Sequence, residues 1–227
     1  MESSGMWYNI YECMSKRHLD VRLSNPAKTR AIASAKIKTD KLDAVKLADL
    51  AECYIPTRET MDLRELVRHR AALVRMRTKL KNKIHSIMFM NGTSVSYVGT
   101  HTFTKGYMEK LKELNDYKIN GYLRVIESVN DEINIVSKKI LLLVEEDEMA
   151  RLLMTVPGIG YYSALLIVSE IGDINRFPDS YHLCSYAGLI PSTRSSDVIT
   201  YHGSITKRGS KYLRWIMHTF VMKRIVT

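Results

Sequence analysis

The chain is 227 residues long, enough for one large or two modest domains with cores of their own. Its 34 Lys and Arg against 24 Asp and Glu give a formal charge of +10, which suits a polyanionic partner: DNA, RNA or an anionic membrane surface. No apolar run approaches the ~20 residues that span a bilayer, the charge-mixed start does not read as a signal peptide, and Cys13, Cys53 and Cys184 stand apart, as reduced thiols of a cytoplasmic protein rather than a disulfide frame or zinc site.

In chain order, residues 1–55 read as an incomplete α/β part. Met6 to Lys16 has helical apolar spacing (Met6, Ile10, Cys13, Met14). Asp20 to Ser24 reads as a short strand ended by Asn25-Pro26, and Ala27 to Ser34 as a short helix. Thr39 can cap a helix from Asp40 to Tyr54. On that helix Asp40 and Asp43, three residues apart, share a face near the N-terminus. Two carboxylates there can hold a hard divalent cation, or simply complement the helix dipole. Glu2 is a third acid ahead of them.

Residues 56–148 read as a coiled-coil helical hairpin. Leu66, Leu73, Leu80 and Ile87 recur every seven residues, with Leu63 and Ile84 on the same seam. In the second helix Ile119, Ile126, Ile133 and Ile140 form one heptad position, and Tyr122, Val129, Val136 and Leu143 the other. Gly92 to Gly106 reads as the connecting loop. The first helix carries eight cations from Arg64 to Lys83 against one acid, with Arg70 and Arg77 on the apolar seam itself. Arg70, Arg77 and Lys81 are therefore candidates for a nucleic-acid backbone; the alternative is a merely charged surface.

Residues 149–227 form a third piece. Val156-Pro157-Gly158-Ile159-Gly160 joins two apolar helices, the second expected to end at Phe177-Pro178. Pro157 stops the first helix, the glycines permit φ > 0, and Ile159 can turn into the core. The next helix then begins with unsatisfied N–H donors and a partial positive charge, which is an anion site. This is the helix-hairpin-helix pattern, with Gly158, Ile159 and Gly160 set for a DNA phosphate; the alternative is a plain αα-hairpin. His182 to Leu189 reads as a short helix and Pro191 to Gly203 as polar and turn-rich. Ile205 to Arg208 leads into Gly209-Ser210-Lys211 and an amphipathic helix through Tyr212, Leu213, Trp215, Ile216 and Phe220. Lys207, Arg208 and Lys211 are further phosphate candidates.

Taken in order, ESSG at Glu2–Gly5, NP at Asn25-Pro26, KTDKLDA at Lys38–Ala44, VPGIGYYSALLIVSEIGDINRF at Val156–Phe177, YAGLIPS at Tyr186–Ser192 and HGSITKRGSKYLRW at His202–Trp215 resemble one family. It is the DEDD-type insertion-sequence transposases of the 110/116/902 group, related to the Piv-type DNA invertases. The resemblance implies a mainly α protein with an incomplete α/β part: a partial RuvC-like (RNase H-like) catalytic domain, a coiled-coil hairpin and a helical C-terminal transposase domain.

Of the family's Asp-Glu-Asp-Asp quartet, Glu2 matches the second acid, Asp40 the third and Asp43 the fourth, implying a Mg²⁺ site. Ser196 falls at the position of a nucleophilic serine, with Ser195 beside it, although Asp197 stands where the family has Gly. On residues alone, both are turn serines. The implied reaction is cleavage and rejoining of DNA: a serine oxygen attacks a phosphodiester, and a DNA hydroxyl resolves the covalent intermediate. The implied partners are element-end and target DNA, a structured guide RNA as in several members, and a second copy through the coiled coil, with no membrane and a nucleoid location. The family's first acid lies upstream of ESSG. The expectation is therefore a copy truncated at its N-terminus and its C-terminus, inactive alone. The alternative is a non-catalytic DNA-binding, dimerising remnant that inhibits its full-length relative.

Overall fold

The computed structural model describes residues 6–24, 53–93, 103–196 and 199–226. The chain divides into two units, 1–57 and 58–227. In the first, helix α1 runs Trp7–Ser15, where helical spacing predicts it, with Glu12 and Lys16 paired one turn apart at 3.2 Å. The expected apolar stripe is not buried: Met6 is 72% exposed and Ile10 49%. Asp20 to Ser24 does not form the expected strand. Ser24 makes a single bridge, and the Cys53 amide donates to the Leu23 carbonyl at 2.7 Å. Five residues of mixed polarity make a marginal strand without a second apolar face to bury. Cys53 and Tyr54 are already irregular. The rest of the expected α/β part, with the helices at 27–34 and from Asp40, lies outside the described residues.

The second unit is built on two long helices, α2 (Arg58–Met90) and α4 (Tyr117–Glu146), joined through a shorter α3 (Lys105–Glu113). They run antiparallel. Arg70 pairs with Ser137 and Arg77 with Asn130, seven residues forward on one helix and seven back on the other. Thr104 caps α3, and Asp116 caps α4 by accepting from the amides of Lys118 and Ile119.

On α4 six of the eight predicted heptad positions, Ile119, Ile126, Val129, Ile133, Val136 and Ile140, are buried, Tyr122 and Leu143 are half-buried, and Leu123 and Val144 are buried beside them. On α2 Ile84 is buried as the seam predicts, but Val67, Ala71 and Met88 are buried while Leu66, Leu73, Leu80 and Ile87 are half-buried. The difference arises because α2 serves α4 and the C-terminal helices at once. Two cores result. One holds Ile84, Met88, Tyr107, Leu111, Ile119, Leu123 and Ile126. The other, centred on Val67, Ile140, Val144, Leu165, Leu166, Leu213 and Ile216, joins the hairpin to the C-terminal helices.

The C-terminal part comprises α5 (Glu148–Met154), α6 (Tyr161–Ile171), a 3₁₀ turn (Ile174–Arg176), α7 (Ser180–Ala187), strands β1 (Pro191–Ser196) and β2 (Ile199–Ile205), and α8 (Lys211–Val226). Helix α6 ends at Gly172, φ +68, six residues before the expected Pro178, because glycine takes that conformation freely. The stretch read as turn-rich is an antiparallel pair, with Thr193 opposite His202, Ser196 opposite Ile199, and a bulge between Pro191 and Thr193. Among the described residues, no helix is long and apolar enough to cross a membrane.

Candidate nucleic-acid interface

The Pro-Gly-Ile-Gly turn joins α5 to α6 as the spacing predicts. Gly158 sits at φ +94, and a side chain there would meet the Phe220 ring of α8 at 3.4 Å. Ile159 is half-buried and packs on the core around Leu165. Gly160 is the N-cap of α6, extended at φ −92 and ψ 172, and no side chain caps the helix. Its carbonyl takes the Ala164 amide at 2.9 Å. Both glycines are exposed. The first-turn amides of α6 thus lack the side-chain acceptor that Asp116 or Asp147 supplies to α4 or α5.

The cations of α2 fall into two sets. Those facing the C-terminal helices or α4 are engaged within the protein. Arg64 donates to the backbone carbonyls of Ser169 (2.6 Å) and Glu170 (2.9 Å). Arg68 grips the Glu170 carboxylate with two bonds, 2.7 and 2.9 Å, and this pairing holds its guanidinium above its usual pKa. Arg70 donates to Ser137 Oγ at 2.8 Å and lies 4.2 Å from the centre of the Tyr162 ring. Arg77 donates to Asn130 Oδ1 at 3.0 Å. Arginine is tolerated on the apolar seam because a polar partner waits opposite each time.

Lys81 is half-buried, 4.9 Å from the Phe103 ring, and burial followed by the charge of Arg77 lowers its ammonium pKa. Arg75, Lys79 and Lys83 are exposed. Of the sequence candidates on this helix, Arg70, Arg77 and Lys81 are thus the ones packed against the protein.

Lys207 and Arg208 are exposed on a loop bolted to the end of α7, and Lys211 is exposed at the start of α8. The amides of Thr206, Lys207 and Ser210 donate to the carbonyls of Ile190, Gly188 and Tyr186. Gly209 has φ +124, and a Cβ there would fall on the Tyr186 carbonyl oxygen, so only glycine lets the loop approach. Ser210 then begins α8: its hydroxyl accepts from the Leu213 amide and donates to Glu170 Oε2 at 2.7 Å. The two motifs read separately in the sequence, around Tyr186 and around Lys211, are one structural piece.

Between α2, α6 and α8 opens a groove of about 280 Å³, lined by Arg70, Ala71, Val74, Arg75, Tyr162, Lys211, Tyr212 and Trp215. Burial pushes the Tyr162 phenol up to about 12 against the pull of Arg70, and its hydroxyl donates to the Val67 carbonyl at 3.1 Å.

Glu2, Asp40 and Asp43 lie outside the described residues, as does Asp197. Ser196 is the last residue of β1, with Ser195 opposite Thr200. Among the described residues, no group of three or more His, Cys, Asp or Glu could hold a metal ion. Sequence reading overlooked Glu170. Its signal was a lone carboxylate inside the apolar run Ala164–Ile171, which a fold can bury only with partners. It also overlooked the groove, whose signal was aromatics alternating with cations in Lys211-Tyr212-Leu213-Arg214-Trp215.

Comparison with known proteins supplies the class. Residues 1–90 match a transposase model of the DEDD type for IS110 elements, and residues 150–227 match the model described as "Transposase IS116/IS110/IS902 family". Both ends of the chain are thus similar to transposases of the IS116/IS110/IS902 group. It is 24% identical to the transposase for insertion sequence element IS1111A of Coxiella burnetii, over 93% of this chain and 60% of that protein. Against the transposase for IS1328 of Yersinia enterocolitica identity is 26%, over 96% and 67%. Against the pilin gene-inverting protein of Moraxella bovis it is 27%, over 94% and 63%. The chain thus spans about three-fifths of the length of the first and third of these relatives.

Proposed function

We propose that the chain acts as a DNA transposase or site-specific recombinase of a mobile element. The observation that carries this reading is the C-terminal piece. The segment matching the family model also leaves the Gly158–Gly160 turn uncapped and Lys207, Arg208 and Lys211 exposed. Uncapped helix amides and point charges are what phosphate oxygens require. In this reading the turn belongs to a helix-hairpin-helix, and residues 1–55 to a RuvC-like catalytic domain.

In this reading Glu2, Asp40 and Asp43 hold a divalent cation. Three carboxylates are hard oxygen donors, which suits Mg²⁺. The ion would neutralise charge developing on the phosphate. Ser196 Oγ forms the new bond to phosphorus while one phosphodiester P–O bond breaks. The departing DNA oxygen takes a proton and leaves as a hydroxyl. A DNA hydroxyl later attacks the same phosphorus and returns the serine. Exposed Arg75, Lys79 and Lys83 offer backbone contacts to DNA or to a structured guide RNA. The exposed apolar residues Val125, Ile135 and Leu142 of α4 suit self-association through the hairpin.

Incubating the purified chain with Mg²⁺ and labelled element-end DNA, then resolving products under denaturing conditions, tests the proposal. A protein–DNA adduct that Ser196→Ala and Asp40→Asn each abolish is expected. DNA binding without an adduct favours the second reading, a non-catalytic DNA-binding, self-associating module. That reading draws support from the 58–227 unit, which holds both cores and the described phosphate candidates.

A further inference from the structure

The groove between α2, α6 and α8 has a chemistry that phosphate binding alone does not require. Its apolar lining is Ala71 and Val74 with the aromatic residues Tyr162, Tyr212 and Trp215. Trp215 is 46% exposed, although it lies on a helix whose Leu213 and Ile216 are buried. The Tyr212 ring has three cations about it: Arg68 at 5.0 Å, Arg75 at 5.2 Å and Lys211 at 5.3 Å. Among the described residues no acid lines the groove. Among the described residues neither Arg75 nor Lys211 forms an ion pair. An apolar aromatic slot with cations at its edge selects a ligand that is planar and aromatic at one end and anionic at the other. At about 280 Å³ it stands at the lower edge of the ~300–1,000 Å³ of ligand pockets, room for one ring system.

We propose that this groove captures a single unpaired nucleotide of a nucleic-acid strand, its base stacked against Trp215 and Tyr212 and its phosphate held by Arg75 and Lys211. This rests on the nucleic-acid reading above and adds to it a preference for strand over duplex. A paired base has both faces occupied by its neighbours, whereas an unpaired one offers a free π-face to an aromatic side chain. The Tyr162 hydroxyl, fixed on the Val67 carbonyl, and Arg70, fixed on Ser137, keep the slot open without a ligand.

The chain has two tryptophans, Trp7 and Trp215. In full-length Trp7→Phe protein, emission excited at wavelengths that tyrosine does not absorb therefore reports on Trp215 alone. Three probes of equal length and charge are titrated: a deoxyribo-pyrimidine strand, its ribo counterpart and an abasic deoxyribo strand. Quenching of Trp215 by one or both base-bearing strands, with the abasic strand binding roughly tenfold more weakly and leaving emission unchanged, is expected; the deoxy and ribo arms identify the source. Trp215→Phe retains the preference over the abasic strand and Trp215→Ala loses it, while both bind duplex DNA as before. Equal binding and equal emission with the abasic strand overturns the stacking proposal and leaves phosphate binding intact. If no strand and no duplex binds at all, the nucleic-acid reading falls with it.

Discussion

The Glu170 carboxylate, 1% exposed, accepts two hydrogen bonds from the Arg68 guanidinium and a third from Ser210. Through it α2, α6 and the start of α8 are tied at one point, and the Arg64 guanidinium and Tyr186 hydroxyl add bonds to the Glu170 carbonyl. A buried carboxylate is tolerated only when so surrounded. Removing it by Glu170→Ala strands the Arg68 charge and the Ser210 hydroxyl. Because Arg68 is 41% exposed, water recovers part of the loss, and a destabilisation of about 2–3 kcal/mol is expected. Denaturant unfolding reads it; an unchanged midpoint would show that the tie contributes nothing.

Gly209 should be the least replaceable glycine of the C-terminal piece. Its φ of +124 and the Tyr186 carbonyl in the place of its Cβ mean that Gly209→Ala detaches the 206–210 loop from α7. The expected cost exceeds the ~1–3 kcal/mol of backbone strain alone. Limited proteolysis should then cut near Lys207 and Arg208, where the parent resists.

Asp179 caps α7, accepting from the His182 amide at 2.8 Å and facing the His182 ring nitrogen at 2.7 Å. These bonds, the backbone one first, hold its carboxyl below the usual range. A depressed folded pKa gives stability that is complete above the unfolded value of about 3.9 and is lost as pH falls through the folded one. Carbon NMR of the Asp179 carboxyl should titrate below that value, and Asp179→Asn should flatten the acid limb of the stability curve. A carboxyl titrating normally would remove this contribution.

Lys207 and Arg208 should act by charge alone. Each change to Ala is expected to weaken duplex binding whatever the sequence, and to reduce the slope of log K against log salt by about one. Arg70→Ala and Arg77→Ala should instead act mainly on stability, since both donate to α4. Anisotropy at several salt concentrations, beside thermal melts, separates the two behaviours.

How much the sequence reveals depends on the range of the interaction. The α4 heptads and the Gly158–Gly160 turn are local patterns and are legible. Arg70 and Arg77 on the seam are legible too, but their partners Ser137 and Asn130 are not, because only the antiparallel register brings them opposite. The 191–205 strands were hidden by Pro, Ser and Gly, although Ile199, Thr200 and Tyr201 favour strand. Trp215 reads as one more apolar residue of an amphipathic helix until α2 and α6 are placed around it. The spacing of Asp40 and Asp43 is legible as a possible cation pair, but joining Glu2 to them rests on the family resemblance.

On the proposed function, the uncapped start of α6 receives a phosphate. Gly160 is extended with nothing within 4 Å of where a Cβ would stand, so Gly160→Asp fits without strain. It caps the helix and places a carboxylate where the phosphate would sit. Effects of opposite sign are expected: stability rises by a few tenths of a kcal/mol, while duplex DNA affinity, measured by anisotropy, falls roughly tenfold or more. Unchanged or tighter DNA binding by this variant would contradict that proposal.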